Sequence, residues 1–138
     1  MRARYVTALG LLLAAFLWGA CGEDEADGPF PMELVGENRL FHATLSPVSE
    51  PLVVGSNDFD LTVVRAEDQA PAEGLAIEVV PWMPHHDHGA PTAPSVEEVG
   101  GGRYRIRGVA FNMEGEWELR ISVSQGEIED RFVAAFRV

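Results

Sequence analysis

Apolar residues recur at every second position along most of this chain, and that period limits what it can fold into. Between residues 116 and 123, Trp117, Leu119, Ile121 and Val123 alternate with Glu116, Glu118, Arg120 and Ser122. Successive side chains of an extended strand point to opposite faces, so this spacing builds a sheet with one buried face and one solvated face. Phe41, Ala43 and Leu45 repeat the pattern, as do Phe59, Leu61 and Val63, then Leu75, Ile77 and Val79. A shorter strand is expected from about Ser95 to Val99. In the last strand Ile128, Phe132, Ala134, Phe136 and Val138 share a face. Tyr104 and Ile106 oppose Arg103, Arg105 and Arg107, and past Gly108 the apolar parity passes to Val109 and Phe111. A glycine at a parity switch predicts a β-bulge that re-aims the side chains after it. About seven short strands, separated by turns such as Asp68–Gly74 and Gly100–Gly102, predict an all-β fold, an immunoglobulin-like β-sandwich. No segment after residue 21 has helical periodicity.

The first twenty residues read differently. Arg2 and Arg4 make a positive start, Val6 to Trp18 form an apolar run, and Gly19-Ala20 precede Cys21. That is a secretory signal layout, too short for a spanning helix. Its Gly-Ala-Cys ending resembles a bacterial lipoprotein signal, with Trp18 where that family usually has leucine. The resemblance implies removal of residues 1–20 and lipidation of Cys21. Cys21 is the one cysteine, so no intrachain disulfide can form and the fold must stand on its core. More than one acyl chain would make the anchor firm. Residues 21–38 are acidic and lack apolar periodicity, which reads as a flexible tether. Residues 39–138 are then a single domain of ordinary size.

The net charge of -12 excludes several partners. Removing residues 1–20, whose only charges are Arg2 and Arg4, takes -12 to -14. Such a surface repels nucleic-acid phosphates and anionic head groups. Catalysis finds no support either, because the chain has no cysteine nucleophile in its domain, no Gly-x-Ser-x-Gly elbow and no phosphate-cradling glycine loop. The sequence predicts a protein that is not an enzyme.

One cluster stands out chemically. Three of the four histidines and one methionine fall inside Trp82-Met83-Pro84-His85-His86-Asp87-His88. Imidazole and thioether are donors that soft and borderline transition metals prefer. If residues 86 to 88 are extended, His86 and His88 project to one side while His85 points away, and Asp87 can orient a ring. Met113, in another turn, is a candidate fourth donor, equally suited to filling a gap in the core. Two imidazoles with one or two thioethers and no thiolate favour Cu(I); without the methionines, zinc or nickel fit as well. An exposed hydrophilic loop with no ion is the plainer alternative. Trp82 and Trp117 are expected to anchor the core, and Arg103, Arg105 and Arg107 to pair with carboxylates rather than bind anions.

The runs Met83-Pro84-His85-His86-Asp87-His88-Gly89, Gly102-Arg103-Tyr104 and Met113-Glu114-Gly115-Glu116-Trp117-Glu118-Leu119 resemble YtkA-like domains, which are related in pattern to FixH-like proteins. The resemblance spans about residues 39 to 138, with its specific content in 83 to 119. It implies an exported immunoglobulin-like sandwich and makes copper the leading metal, with Met83, His86, His88 and Met113 as ligands and His85 as a further imidazole that the commoner loop lacks. The expected function is a lipid-anchored extracytoplasmic copper chaperone or buffer, working beside copper-handling or oxidase-assembly proteins. The alternative is a metal-free interaction module of the cell envelope. Gly22 lacks the aspartate of some inner-membrane retention signals, so a periplasm-facing outer-membrane position is slightly favoured.

Overall fold

The computed structural model describes residues 29–138. The expected signal sequence (residues 1–20), Cys21 and residues 22–28 lie outside the described residues. Nine strands succeed one another without a helix among the described residues: β1 Met32–Val35, β2 Phe41–Pro47, β3 Gly55–Arg65, β4 Ala76–Met83, β5 His88–Gly89, β6 Ser95–Gly100, β7 Arg103–Phe111, β8 Glu116–Gln125 and β9 Ile128–Arg137. They form two antiparallel sheets, ordered β1-β2-β3-β7-β6 and β5-β4-β8-β9. With β1 set aside, that is the strand order of immunoglobulin-like sandwiches, ABED facing C′CFG.

The alternating pattern determines which faces meet. Leu45, Phe59, Leu61, Val63, Ile106, Val109, Leu119, Ile121, Val123 and Phe132 point inward and are almost wholly buried. At roughly 1.5–3 kcal/mol for each large apolar side chain removed from water, that layer is the main force holding the sheets together. The predicted bulge is present. Opposite β3 the register shifts between Asn57 and Phe59, and the backbone N–H of Gly108, at φ 74, donates to the Asp58 carboxylate at 2.9 Å. A left-handed φ is costly for other residues and nearly free for glycine. The shift brings Val109 and Phe111 inward in step with the new parity.

Two strands exceed the expected seven, and both are short. β5 has two residues, too few to show a period. β1 lies inside the expected 21–38 tether and corrects its boundary: Leu34 is buried, and Phe30 packs at 5.2 Å from the Phe136 ring. The ordered sandwich therefore begins near residue 30 rather than 39. The acidic neighbourhood hid a four-residue strand whose partner, β2, is supplied only by the fold.

Trp82 is a second correction. Trp117 is buried in the core, but Trp82 faces outward, half-buried, with the Arg120 guanidinium 4.7 Å over its ring. Met83, not Trp82, carries the inward parity of β4. The arginine stripe follows the expectation at two of its three positions, Arg105 pairing with Asp60 and Arg107 with Glu97, whereas Arg103 donates to the Gly100 carbonyl instead.

A Met/His hairpin at one end of the sandwich

β4 and β5 are joined by residues 84–87, a tight hairpin closed by the pairs Met83↔His88 and Trp82↔Gly89. Pro84 stops the ladder because it has no N–H to give. The turn is held by His86 N–H donating to the Met83 carbonyl at 3.1 Å, and Ala90 N–H donating to the Pro81 carbonyl at 3.1 Å. Asp87 adopts φ 52, a left-handed conformation that Asp and Asn tolerate better than most residues. Its place in the site is thus first a backbone one.

The hairpin sorts the five sequence candidates. The His86 and His88 rings lie with centroids 5.7 Å apart and planes at 45°. Metal–nitrogen bonds of about 2.0 Å would place two imidazole centroids on a shared ion roughly 5–6 Å apart, a separation this pair matches, while His88 Nδ1 lies 3.3 Å from its own Gly89 carbonyl. Met83 is the direct cross-strand neighbour of His88, and such neighbours share a face. Yet Met83 is only 2% exposed and belongs to the core cluster. His85 goes elsewhere: its Nε2 lies 2.6 Å from a Glu116 carboxylate oxygen, with both side chains largely in solvent. Among the described residues no group of three or more His, Cys, Asp or Glu side chains gathers closely enough to hold an ion. Of the candidate donors, the hairpin brings the His86 and His88 imidazoles near each other and leaves Met83 in the core.

The second turn, residues 112–115, meets the hairpin directly. A Cβ added to Gly115 would stand 2.6 Å from the Met83 methyl, and Gly115 sits at φ 144. Glycine here admits the end of the Met83 side chain and the backbone direction together. The His85–Glu116 contact ties the same two segments on the solvent side. Met113 is 36% exposed at this corner, and its carbonyl accepts a hydrogen bond from the Trp117 indole at 3.1 Å. In immunoglobulin-like folds a tyrosine hydroxyl bonds back to the backbone at this corner; here an indole N–H does so. The Met-x-Gly-x-Trp pattern is therefore in large part a structural fixture. The thioether of Met113 takes no part in that bond.

Glu116 was not anticipated as a contact of the hairpin. It reads as one more acid on the polar face of β8, and only the approach of the 84–87 loop singles it out. Tyr104, of the Gly-x-Tyr motif, also has a role invisible in sequence. Its hydroxyl donates to the Ala72 carbonyl at 2.7 Å and accepts from Leu75 N–H at 3.1 Å, and burial pushes its pKa up. It locks the β3–β4 connection.

An antiparallel sandwich of immunoglobulin strand order, with a Met/His hairpin between its C and C′ strands, defines an all-β domain of a recognisable class. Residues 39–122 match the YtkA-like family model, and the chain belongs to the YtkA-like family. That match runs from just before β2 into β8. No curated protein and no solved structure matches the chain.

Proposed function

We propose that the protein is a lipid-anchored, extracytoplasmic copper-binding carrier, a chaperone or buffer without catalytic activity, that takes Cu(I) as cargo on the 83–88 hairpin. The observation that supports this most directly is the His86–His88 ring pair beside the cross-strand position of Met83. Neutral imidazoles and thioethers suit Cu(I), and without thiolates the coordination stays weak enough to exchange. His86 and His88 would form the entry pair. Met113, exposed at the facing corner, would offer the accessible sulfur, and Met83 would contribute only if its side chain turned outward. Cys21 would carry the lipid, and the acceptors would be copper-handling or oxidase-assembly proteins of the envelope, at a membrane where the outer one is slightly favoured.

Titration of the purified protein with Cu(I) against a competing chelator tests the proposal. His86→Ala/His88→Ala is expected to weaken binding more than about 100-fold, since loss of outer partners alone costs 10–100-fold. Met113→Ala is expected to cost about 10-fold. Unchanged affinity in the histidine double variant would overturn the ligand assignment.

One observation favours the metal-free alternative. Met83 is fully packed and His85 is satisfied by Glu116, so the hairpin stands without an ion. Capture of an envelope partner that survives both chelator and the double histidine substitution would favour an interaction module instead.

A further inference from the structure

We propose that the hairpin-bearing end of the sandwich lies against the bilayer, with the β2–β3 loop and Met113 seated among lipid head groups. This rests on the lipid-anchor part of the proposed function and adds an orientation and a contact surface to it.

The first support is where the chain enters. β2 begins at Phe41, paired with Arg65, at the end opposite the hairpin. A sandwich starting there would receive its tether on the wrong side. β1 reverses the direction: it runs antiparallel to β2 with Met32 opposite Leu45, which carries the N-terminus back along the sheet. Phe30 then joins the aromatic cluster beneath the 112–115 corner, 6.0 Å from Phe59 and 5.2 Å from Phe136, while Phe111 stacks 5.1 Å from Trp117. Nine peptide units separate Phe30 from Cys21, a covalent reach of no more than about 30 Å. A lipid on Cys21 would thus hold this end near the membrane.

The second support is what that end presents. Val48, Val53, Val54 and Met113 are all exposed there. The pair Gly55↔Phe111 sets Val54 beside the 112–115 corner, so the valine loop and Met113 form one rim. Apolar side chains on adjoining loop tips, uncovered by the rest of the domain, gain by entering the head-group boundary.

The third is charge. Residues 48–55 contain one acid, Glu50, whereas the β3–β4 connection at the other end carries Glu67, Asp68 and Glu73. Leu40, Val99 and Ile128 are exposed at that far end too, where Leu40 and Ile128 share a surface with the charged side chains of Arg39, Arg65 and Glu67. In a chain of net charge -12, the valine loop is the least acidic stretch of its end, where Asp87, Glu114 and Glu116 stand on the hairpin and the facing corner. His86 and His88 would face an acceptor at the membrane surface rather than one approaching from open solvent.

The test uses the lipidated protein on phosphatidylcholine vesicles. Lipid occupies Cys21, the one native cysteine, so Val54→Cys and Glu127→Cys each provide a unique thiol for an environment-sensitive fluorophore. Both positions are exposed, and neither substitution touches the core. The label at 54 is expected to shift to the blue and become several-fold less accessible to an aqueous quencher, while the label at 127 stays unchanged. Equal accessibility of the two on vesicles that carry the protein would overturn the orientation alone. Failure of the lipidated protein to float with vesicles would overturn the anchor and the orientation together. Protection of position 54 that persists in detergent without lipid, or grows with protein density, would assign the rim to a second copy of the chain and also overturn the proposal.

Discussion

The two ends of the sandwich spend their polar groups differently. At the end opposite the hairpin they are buried and committed. The Asp130 carboxylate, 1% exposed, accepts backbone N–H bonds from Asn38 at 2.8 Å, Leu40 at 2.9 Å, Phe41 at 3.1 Å and its neighbour Arg131 at 2.9 Å. Tyr104 closes the adjoining connection with two more bonds. At the hairpin end Asn57 is likewise buried, accepting from Val53 N–H and donating to the Val53 carbonyl, but the polar groups of the hairpin itself are solvated and loosely held. His85 and Glu116 pair in water, and His88 Nδ1 has only a 3.3 Å contact with the Gly89 carbonyl. A buried polar group that loses its partner is costly, whereas an exposed one loses little. One end is therefore built to hold the fold, and the other keeps its donors available.

Substitutions at the committed end should show the largest effects. Asp130→Ala leaves three N–H groups at the β1–β2 turn without their acceptor, that of Phe41 buried and those of Asn38 and Leu40 part-buried, and is expected to lower stability by about 3 kcal/mol, read by chemical denaturation. A loss below about 1 kcal/mol would mean that water replaces the carboxylate, and the contrast between the ends would fail. Gly115→Ala probes the boundary between fold and site. The new Cβ meets the Met83 methyl at 2.6 Å on a backbone at φ 144, and a cost of about 2 kcal/mol is expected. Because the methyl is the flexible tip of its side chain, the variant should relax by turning Met83. A changed Met83 methyl resonance alongside that loss would report the turn.

Tyr104→Phe removes two buried bonds and is expected to cost about 1–2 kcal/mol. It also carries a pH signature. Burial raises the phenol above its ordinary value of 10.0, so the folded state keeps the proton where the unfolded chain has begun to lose it. Stability should be unaffected by this group below about pH 10 and fall as the pH rises beyond it, more steeply in the native protein than in Tyr104→Phe. Equal slopes in the two would remove the phenol as the cause. The smallest effect belongs to the free end: His86→Ala/His88→Ala should leave stability within about 0.5 kcal/mol of native while changing Cu(I) binding. A large destabilisation there would make the histidines structural and erase the difference between the ends.

Much of the sandwich was legible because strand alternation is a local property. The inward sets of β2, β3, β7 and β8 come directly from spacing, and the Gly108 bulge from the parity change beside it. In β9 the same period hid its main exception, since position 130 lies on the buried face and carries an aspartate. No local rule provides that residue with the backbone donors of a turn some ninety residues earlier. Trp82 misled for a related reason: its size suggests burial, but its parity puts it outside. At the candidate site, the sequence exposed the donor-rich loop, but the expected extended run 86–88 is broken by a turn with Asp87 at φ 52, and it is the turn that brings the His86 and His88 rings near each other. The sequence could not show that His85 would be taken by Glu116 or that the Met83 methyl would press against Gly115.

By itself, then, the order of residues determined the all-β class, the strand faces, the acidic surface and the run of imidazoles, because each depends on near neighbours along the chain. Tertiary structure alone decided which end of the sandwich those imidazoles share with Met113, Phe30 and the valine loop. Strand pairing sets which remote segments meet, and β1, four residues with little pattern of their own, reverses the chain so that Phe30 lies at the hairpin end. The physical reason is that alternation specifies a face, while only the closure of two sheets specifies a neighbour.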